Sequence, residues 1–408
     1  MPFILWRPFL FVWRWWRINV WLSHKTFILL EIKIPEEVLK PIRAMETVLD
    51  GLRQILYQPP DWWEKWIEGQ VDLSYGLEIA SLGGEPHFFV RIPQELRDSV
   101  ESTIYSQYPE AEITQAEDYT KTVPSDIPNK EWDLWGADYR LLKPDPYPIK
   151  TYPEFETERE ALEEKRIDPV AGLLEAMGKV KPGEQLWIQI TATPATNIEI
   201  PLAKEGEEIR DKLAKRNGGG DKKRPILMEA ADVLITGKVA EEKEEPASAI
   251  PPEMHMTPGE RDIVQAIERK ISKPFFDVGI RFIYLGRKDV FFKAKLRLPF
   301  AFFASFFTEN RNALVPWGKT LTKIHKSWFL PLNLVRSRRV YLRKRRLFRN
   351  YVQRVNPLFP RKGGTYCLNT EELASLFHFP GRGVAPAPFI SRIESKKGEP
   401  PAGLPSGM

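Results

Sequence analysis

The residues that could carry catalysis are judged first by their spacing. Gly318-Lys319-Thr320 is the nearest approach to a phosphate-cradling loop. Such a loop needs glycines so that backbone amides can close on phosphate, followed by a lysine and a hydroxyl. Ala313 stands where the first glycine belongs, and no apolar strand runs into the segment, so no nucleotide site is expected there. The five histidines, His24, His87, His255, His325 and His378, are scattered singly, and the one cysteine is Cys367. Neither set has the spacing of zinc ligands. Pairs of Asp and Glu are frequent, but they occur in charged stretches that read as solvated, and no serine-nucleophile elbow is present. The expectation is therefore a protein that is not an enzyme, with no catalytic residues, no cofactor and no metal. A catalytic set assembled from distant residues would leave no such local mark.

Two other clusters have the types and spacing for contact with phosphate. Residues 1–22 are rich in aromatics, among them Trp6, Phe9, Phe11, Trp13, Trp15, Trp16 and Trp21, interrupted by Arg7, Arg14 and Arg17. At about 100° per residue the three arginines fall within roughly one quadrant of a helix. No uncharged run approaches the roughly 20 residues that span a bilayer, and a signal-peptide cleavage site is lacking. One basic side with Trp and Phe elsewhere describes an amphipathic helix lying in the lipid headgroup layer. Arg7, Arg14, Arg17, Trp13 and Trp16 are its expected membrane contacts. The alternatives are a helix packed on the protein's own core or on a partner, and a truncated or partnered transmembrane helix. The second cluster is Arg336, Arg338, Arg339, Arg343, Lys344, Arg345, Arg346 and Arg349, interleaved with Val340, Tyr341, Leu342, Leu347 and Phe348. As a helix it is basic nearly all round, which argues against a place in the core. Three readings stand: binding to an anionic membrane surface, binding to a nucleic-acid backbone, or a solvated face paired with the acidic middle of the chain.

The elements that must position these clusters follow from composition and periodicity. The chain has 408 residues, 42% hydrophobic and 28% charged, with a net charge of +5. That suffices for two folded domains plus tails. The 36 prolines punctuate connectors, and a lone cysteine excludes an intrachain disulfide. The stretch Phe27–Thr114 reads as strand, helix, strand, strand, helix, strand. Phe27–Ile34 is a half-buried strand, and Leu39 to Leu56 carries apolar residues three and four apart. Gly83-Gly84-Glu85 turns a hairpin between Ser74–Leu82 and His87–Ile92. A helix opens at Pro93, and Ala111–Thr114 is a last strand. This order is the split β-α-β of a ferredoxin-like domain. Trp62, Trp63 and Trp66, in the insert after the first helix, read as a local mini-core, with a lid or partner surface as the alternative.

The following half repeats the pattern less plainly. Strands are expected at Glu131–Leu142, Leu186–Ala192 and Phe275–Leu285. Helices are expected after the Asp168-Pro169 cap, after the Thr257-Pro258-Gly259-Glu260 capping box, and over the apolar run Phe291–Phe307. The fold class expected is α+β: two ferredoxin-like units in tandem, an N-terminal amphipathic helix, a basic helical arm and an extended Pro-rich C-terminal tail. The domain bounds are 1–24 for the interfacial helix, 25–120 for the first unit and 131–308 for the second, with 200–256 flexible. The arm spans 309–362, and 363–408 holds a helix box and the tail. In that box Asn369 or Thr370 caps a helix bearing Leu373, Leu376 and Phe377, and His378 sits near its C-terminus.

Several strings resemble one family: Leu368 to Pro380, Arg392 to Pro401, Leu77 to Glu85, and Tyr105-Ser106-Gln107-Tyr108-Pro109. They look like uncharacterised bacterial membrane-associated proteins similar to the region preceding the motor in type IV secretion or conjugative DNA-transfer ATPases of the FtsK-HerA superfamily. The likeness runs from about residue 24 to 405. It implies an accessory or scaffold module at the cytoplasmic face of the bacterial inner membrane. It also implies a secretion-system ATPase or other apparatus protein as partner, with DNA and self-association as further contacts. In fused relatives a Pro-rich linker leads on to the nucleotide-binding domain, and here the sequence ends at that linker. An adaptor that guides DNA to a separate motor is the alternative.

Overall fold

The computed structural model describes residues 2–35, 40–155, 168–214, 256–292, 295, 297–326, 334–355 and 364–380. In chain order the elements are α1 (Pro2–Ser23), β1 (Phe27–Lys33), α2 (Ile42–Leu56), β2 (Tyr75–Leu82), β3 (Glu85–Pro93), α3 (Arg97–Gln107), β4 (Glu112–Ala116) and β5 (Trp132–Leu141). There follow α4 (Tyr152–Phe155), α5 (Ala171–Gly178), β6 (Glu184–Ala195), α6 (Leu202–Leu213), α7 (Pro258–Ile271), β7 (Phe275–Arg287) and α8 (Arg297–Ala304). The last are β8 (Leu314–Pro316), α9 (Arg336–Val352), β9 (Tyr366–Asn369) and α10 (Thr370–Leu376).

The architecture is α+β, built on one antiparallel sheet in the order β4-β1-β3-β2-β6-β7-β5-β8. Strands β1–β4 lie in the order fourth, first, third, second. Strands β5–β8 lie in that same internal order, read from the other edge. The halves join where β2 pairs antiparallel with β6, with Tyr75 opposite Ala192 and Leu82 opposite Gln185. The core therefore runs unbroken across the join. Strand β6 takes the whole of one edge of β7, from Phe275 to Gly286. On the other edge β5 covers Arg281–Arg287 and β9 covers Phe275–Val278, end to end.

Strand alternation places a large core on each face of the sheet, with a smaller cluster of Ala195, Ile200, Leu202, Phe275 and Cys367 beside them. On one face Ile28, Leu30 and Ile32 of β1 meet Val48, Leu49 and Leu52 of α2, and the core continues through α5, α8 and α10. On the other face Leu29, Phe89, Trp187, Leu134 and Ile283 lie under Leu347, Phe348 and Tyr351 of α9. Helix α9 sits close: a Cβ on Gly136 would stand 3.0 Å from Leu347 Cδ2 and 2.3 Å from the Phe282 carbonyl oxygen.

This placement corrects the expectation that the basic segment stays outside the core. Leu347, Phe348 and Tyr351 recur three and four residues apart and form one buried stripe. Eight cations masked that stripe in the sequence. Three further differences arise. Among the described residues of the apolar run Phe291–Phe307, the α-helix covers Arg297–Ala304. Within 200–256, expected to be flexible, Leu202–Leu213 is a helix lying against α7, while Gly218–Gly220 and 238–252 lie outside the described residues, as does the tail beyond 380. The boundary drawn at 308 precedes β8, α9, β9 and α10, all of which join the same sheet or its cores.

Candidate membrane and phosphate contact surfaces

Helix α1 lies on the insert that follows α2. Trp13 Nε1 donates to the Trp66 carbonyl oxygen at 2.9 Å, Arg17 Nε donates to the Ile67 carbonyl oxygen, and the Arg14 guanidinium lies 5.5 Å from the Trp66 ring centre. The acceptors come from a single wide helical turn, Glu64–Glu68, closed by Gly69 at φ 82°. A Cβ on Gly69 would stand 2.4 Å from the Arg17 backbone, so glycine is what lets the insert approach.

The arginines of α1 thus divide. Arg14, Arg17 and Trp13, expected at lipid headgroups, turn toward the protein: Trp13 and Arg17 donate to insert carbonyls and Arg14 lies against the Trp66 ring. Arg7 is exposed. At roughly 100° per residue the residues opposite the insert are Pro8, Phe11, Val12, Trp15 and Asn19, with Trp16 alongside. They carry no charge. Phe11 is 57% exposed, Val12 59%, Trp15 51% and Trp16 48%. The outward face of α1 is therefore apolar and aromatic rather than basic. Trp62 and Trp63 of the insert, read as part of a mini-core, are 68% and 57% exposed. Among the described residues no helix is long and apolar enough to cross a membrane.

Helix α9 divides its cations in the same manner. Arg336 Nε donates to the Ile324 carbonyl oxygen at 2.8 Å, and Arg343 to the carbonyl oxygens of Gly318 and Leu321 at 3.1 and 3.0 Å. Lys344 pairs with Asp133 at 2.6 Å, and Arg345 donates to the Tyr341 hydroxyl at 2.9 Å. The side chains of Arg338, Arg339, Arg346 and Arg349 are exposed and make no ion pair or hydrogen bond among the described residues. With Arg345 they fall within about 120° of the helix circumference, opposite the buried stripe. Of the eight cations expected at phosphate, four remain free, and four fasten the helix or its own side chains. The Gly318-Lys319-Thr320 turn serves the same fastening: the Thr320 hydroxyl accepts from the Asp138 amide at 3.1 Å.

Beneath the C-terminal end of α9 lies a buried polar cluster that spacing did not reveal. Glu78, Gln189, Arg281 and Asp138 stand directly opposite one another across β2, β6, β7 and β5. Glu78 is fully buried. It accepts from Tyr119 Oη at 2.7 Å, Gln189 Nε2 at 2.8 Å, and Arg354 Nε and Nη2 at 2.9 and 3.1 Å. Arg354 also grips Asp118 at 2.6 and 3.0 Å. Burial opposes the charge on Arg354, but the Glu78 and Asp118 carboxylates hold it protonated above the usual arginine range. Arg354 adopts φ 53°, the left-handed turn that ends α9. A second buried set surrounds α10, whose seven residues are all buried. Asn369 caps it in a reciprocal box with Glu372. His378 lies at its C-terminal end, with Nδ1 2.9 Å from the Ala374 carbonyl oxygen and Nε2 2.9 Å from Asp168. The expectation that Asp and Glu pairs lie in solvated stretches does not hold for Glu371 and Glu372, which are buried. The sequence mark of the sheet cluster is an isolated Glu inside an apolar strand, as in Leu77-Glu78-Ile79.

No protein-family model matches the sequence, and no curated protein shows significant similarity to it.

Proposed function

We propose that this chain is a non-enzymatic scaffold that associates with a membrane interface through α1. The observation that carries the reading is the uncharged outward face of Phe11, Val12, Trp15 and Trp16 on a helix whose Arg14 and Arg17 turn toward its own protein. A face of this kind gains free energy by leaving water for the boundary between headgroups and acyl chains. The free arginines of α9 add attraction to anionic lipid, about 1 kcal/mol for each cation near the surface. Each half of the sheet is read as a ferredoxin-like unit, from its fourth-first-third-second strand order and its helices on one face. Strand β2 of one unit is zipped to β6 of the other, which makes a rigid support for partner proteins. The resemblance of the C-terminal box and tail extends the reading to an accessory module of a type IV secretion or conjugative DNA-transfer apparatus. It would act at the cytoplasmic face of the bacterial inner membrane with a separate ATPase.

Flotation with vesicles of mixed neutral and anionic lipid tests the membrane part. Trp15→Asp combined with Trp16→Asp removes two aromatic anchors, roughly 3 kcal/mol or more, so vesicle partitioning falls by at least about a hundredfold. Equal flotation of the variant and the wild type would remove α1 as the anchor. A second reading, an adaptor that guides DNA to a separate motor, draws on the one-sided arc of free arginines on α9. Duplex binding that weakens as salt rises, and that Arg338→Gln with Arg349→Gln abolishes, would favour it.

A further inference from the structure

We infer that the cleft between the start of β1 and the end of α9 is a binding site for a phosphate group. The cleft has a volume of about 520 Å³, and its wall includes Phe27, Arg91, Lys121, Asp118 and Arg354. That size suits a small ligand.

Arg91 carries the assignment. It stands on β3, on the sheet face that α9 covers further along, opposite Leu29 and Gly76. Its guanidinium makes no ion pair or hydrogen bond among the described residues and lies 3.9 Å from the ring centre of Phe27. Burial and the neighbouring Arg354 cation lower its pKa to about 10. The nearby Glu78 and Asp118 carboxylates are paired with Arg354 and make no ion pair with Arg91, so a bound anion would offset the cost of burying this cation. Stacking on Phe27 fixes the plane of the guanidinium, which is the arrangement that favours paired contacts to phosphate oxygens.

The other charges of the wall leave room for such a guest. Asp118 is held by two contacts to Arg354 and by the Thr120 amide and hydroxyl. Lys121 is exposed at the rim and its side chain has no partner among the described residues, and Glu117, also exposed, lines the same rim. Arg354 is thus matched by Glu78 and Asp118, Arg91 is the inner cation without an ion pair among the described residues, and the rim is mixed, so the phosphate would seat on Arg91 with Lys121 closing over it. The ligand chemistry is a phosphate mono- or diester, supplied by a free organophosphate or by a phospholipid headgroup. The assignment holds whether or not α1 touches lipid.

Calorimetric titration of the full chain with sodium pyrophosphate at constant ionic strength tests the site, beside flotation with phosphatidylglycerol vesicles. Wild type binds pyrophosphate saturably. Arg91→Gln lowers the affinity by at least about tenfold and Lys121→Gln by about threefold, whereas Lys179→Gln, at the C-terminal end of α5 on the other face of the sheet, leaves it unchanged. Denaturation of Arg91→Gln without ligand gives a midpoint equal to or above that of wild type, which a purely structural arginine would not. Competition between pyrophosphate and the vesicles identifies a headgroup as the guest. Pyrophosphate binding with flotation indifferent to Arg91→Gln identifies a free organophosphate. Absence of saturable binding to either probe, or equal binding by wild type and both cleft variants, overturns the proposal.

Discussion

Replacing Arg354 with methionine is expected to destabilise the protein by about 3–5 kcal/mol, because it strands a buried carboxylate. Glu78 lies in the middle of the sheet with no access to water, and Arg354 supplies two of its hydrogen bonds and its only ion pair among the described residues. Tyr119 and Gln189 still donate to it in the variant. They satisfy lone pairs but bring no charge, so the desolvation cost of the carboxylate is uncompensated. Methionine and arginine are both non-glycine residues at φ 53°, so the backbone cost of the left-handed turn cancels in the comparison. Equilibrium unfolding in urea measures the loss. Adding Glu78→Gln to the variant removes the stranded charge and restores a large part of it, the signature of direct coupling. A loss below about 1 kcal/mol would mean that water reaches Glu78.

The second large effect is expected at Lys270, again about 3–5 kcal/mol on replacement by methionine. Lys270 and Glu372 are both fully buried, 3.0 Å apart. Burial raises the pKa of Glu372, and Lys270 together with the Asn369 and Ile149 amides pulls it back. Without the lysine, Glu372 takes up a proton more readily, so the variant recovers stability as pH falls through the raised carboxyl pKa. The sign follows from linkage: a carboxyl whose folded pKa lies above its unfolded value binds more protons when folded, so stability falls as pH rises between the two. Unfolding at acidic and neutral pH checks this. Wild type and Lys270→Met should differ less at the acidic end, and a constant difference would place the lysine's effect outside the ion pair. Because Glu372 also caps α10 and accepts from the Ile149 amide at 2.9 Å, the variant loosens the link between α10 and the segment after β5.

Much of the scaffold was legible because its signals are local. Alternation in Phe27–Ile34, helical spacing up to Leu56 and the Gly83-Gly84 turn locate β1, α2 and the β2–β3 hairpin within one to three residues. The Thr257 and Asn369 capping boxes form with both reciprocal bonds. What the sequence concealed depends on partners distant in the chain. Zipping β2 to β6 needs two strands about a hundred residues apart, and β-propensity does not say which edge a strand will meet. Strands β8 and β9 are three and four residues long, too short for a periodic signal. Arg14 and Arg17 look like headgroup ligands by composition. Only the insert, with the Trp66 ring and the Ile67 carbonyl, turns them inward. On α9 the reverse held: abundant charge hid three buried apolar residues, because an arginine stem covers apolar surface while its head stays in water.

The central claim, that the outward face of α1 enters a membrane interface, is tested most directly by a nitroxide spin label at Val12→Cys. Cys367 is fully buried and does not compete for the label. With anionic vesicles, power-saturation measurements should find the Val12 label more accessible to oxygen, and less accessible to a water-soluble nickel complex, than without them. A label at Asn19, near the polar end of that face, should change less. Unchanged accessibility at Val12 in the presence of vesicles that bind the protein would contradict the account, since attachment would then run through some other surface.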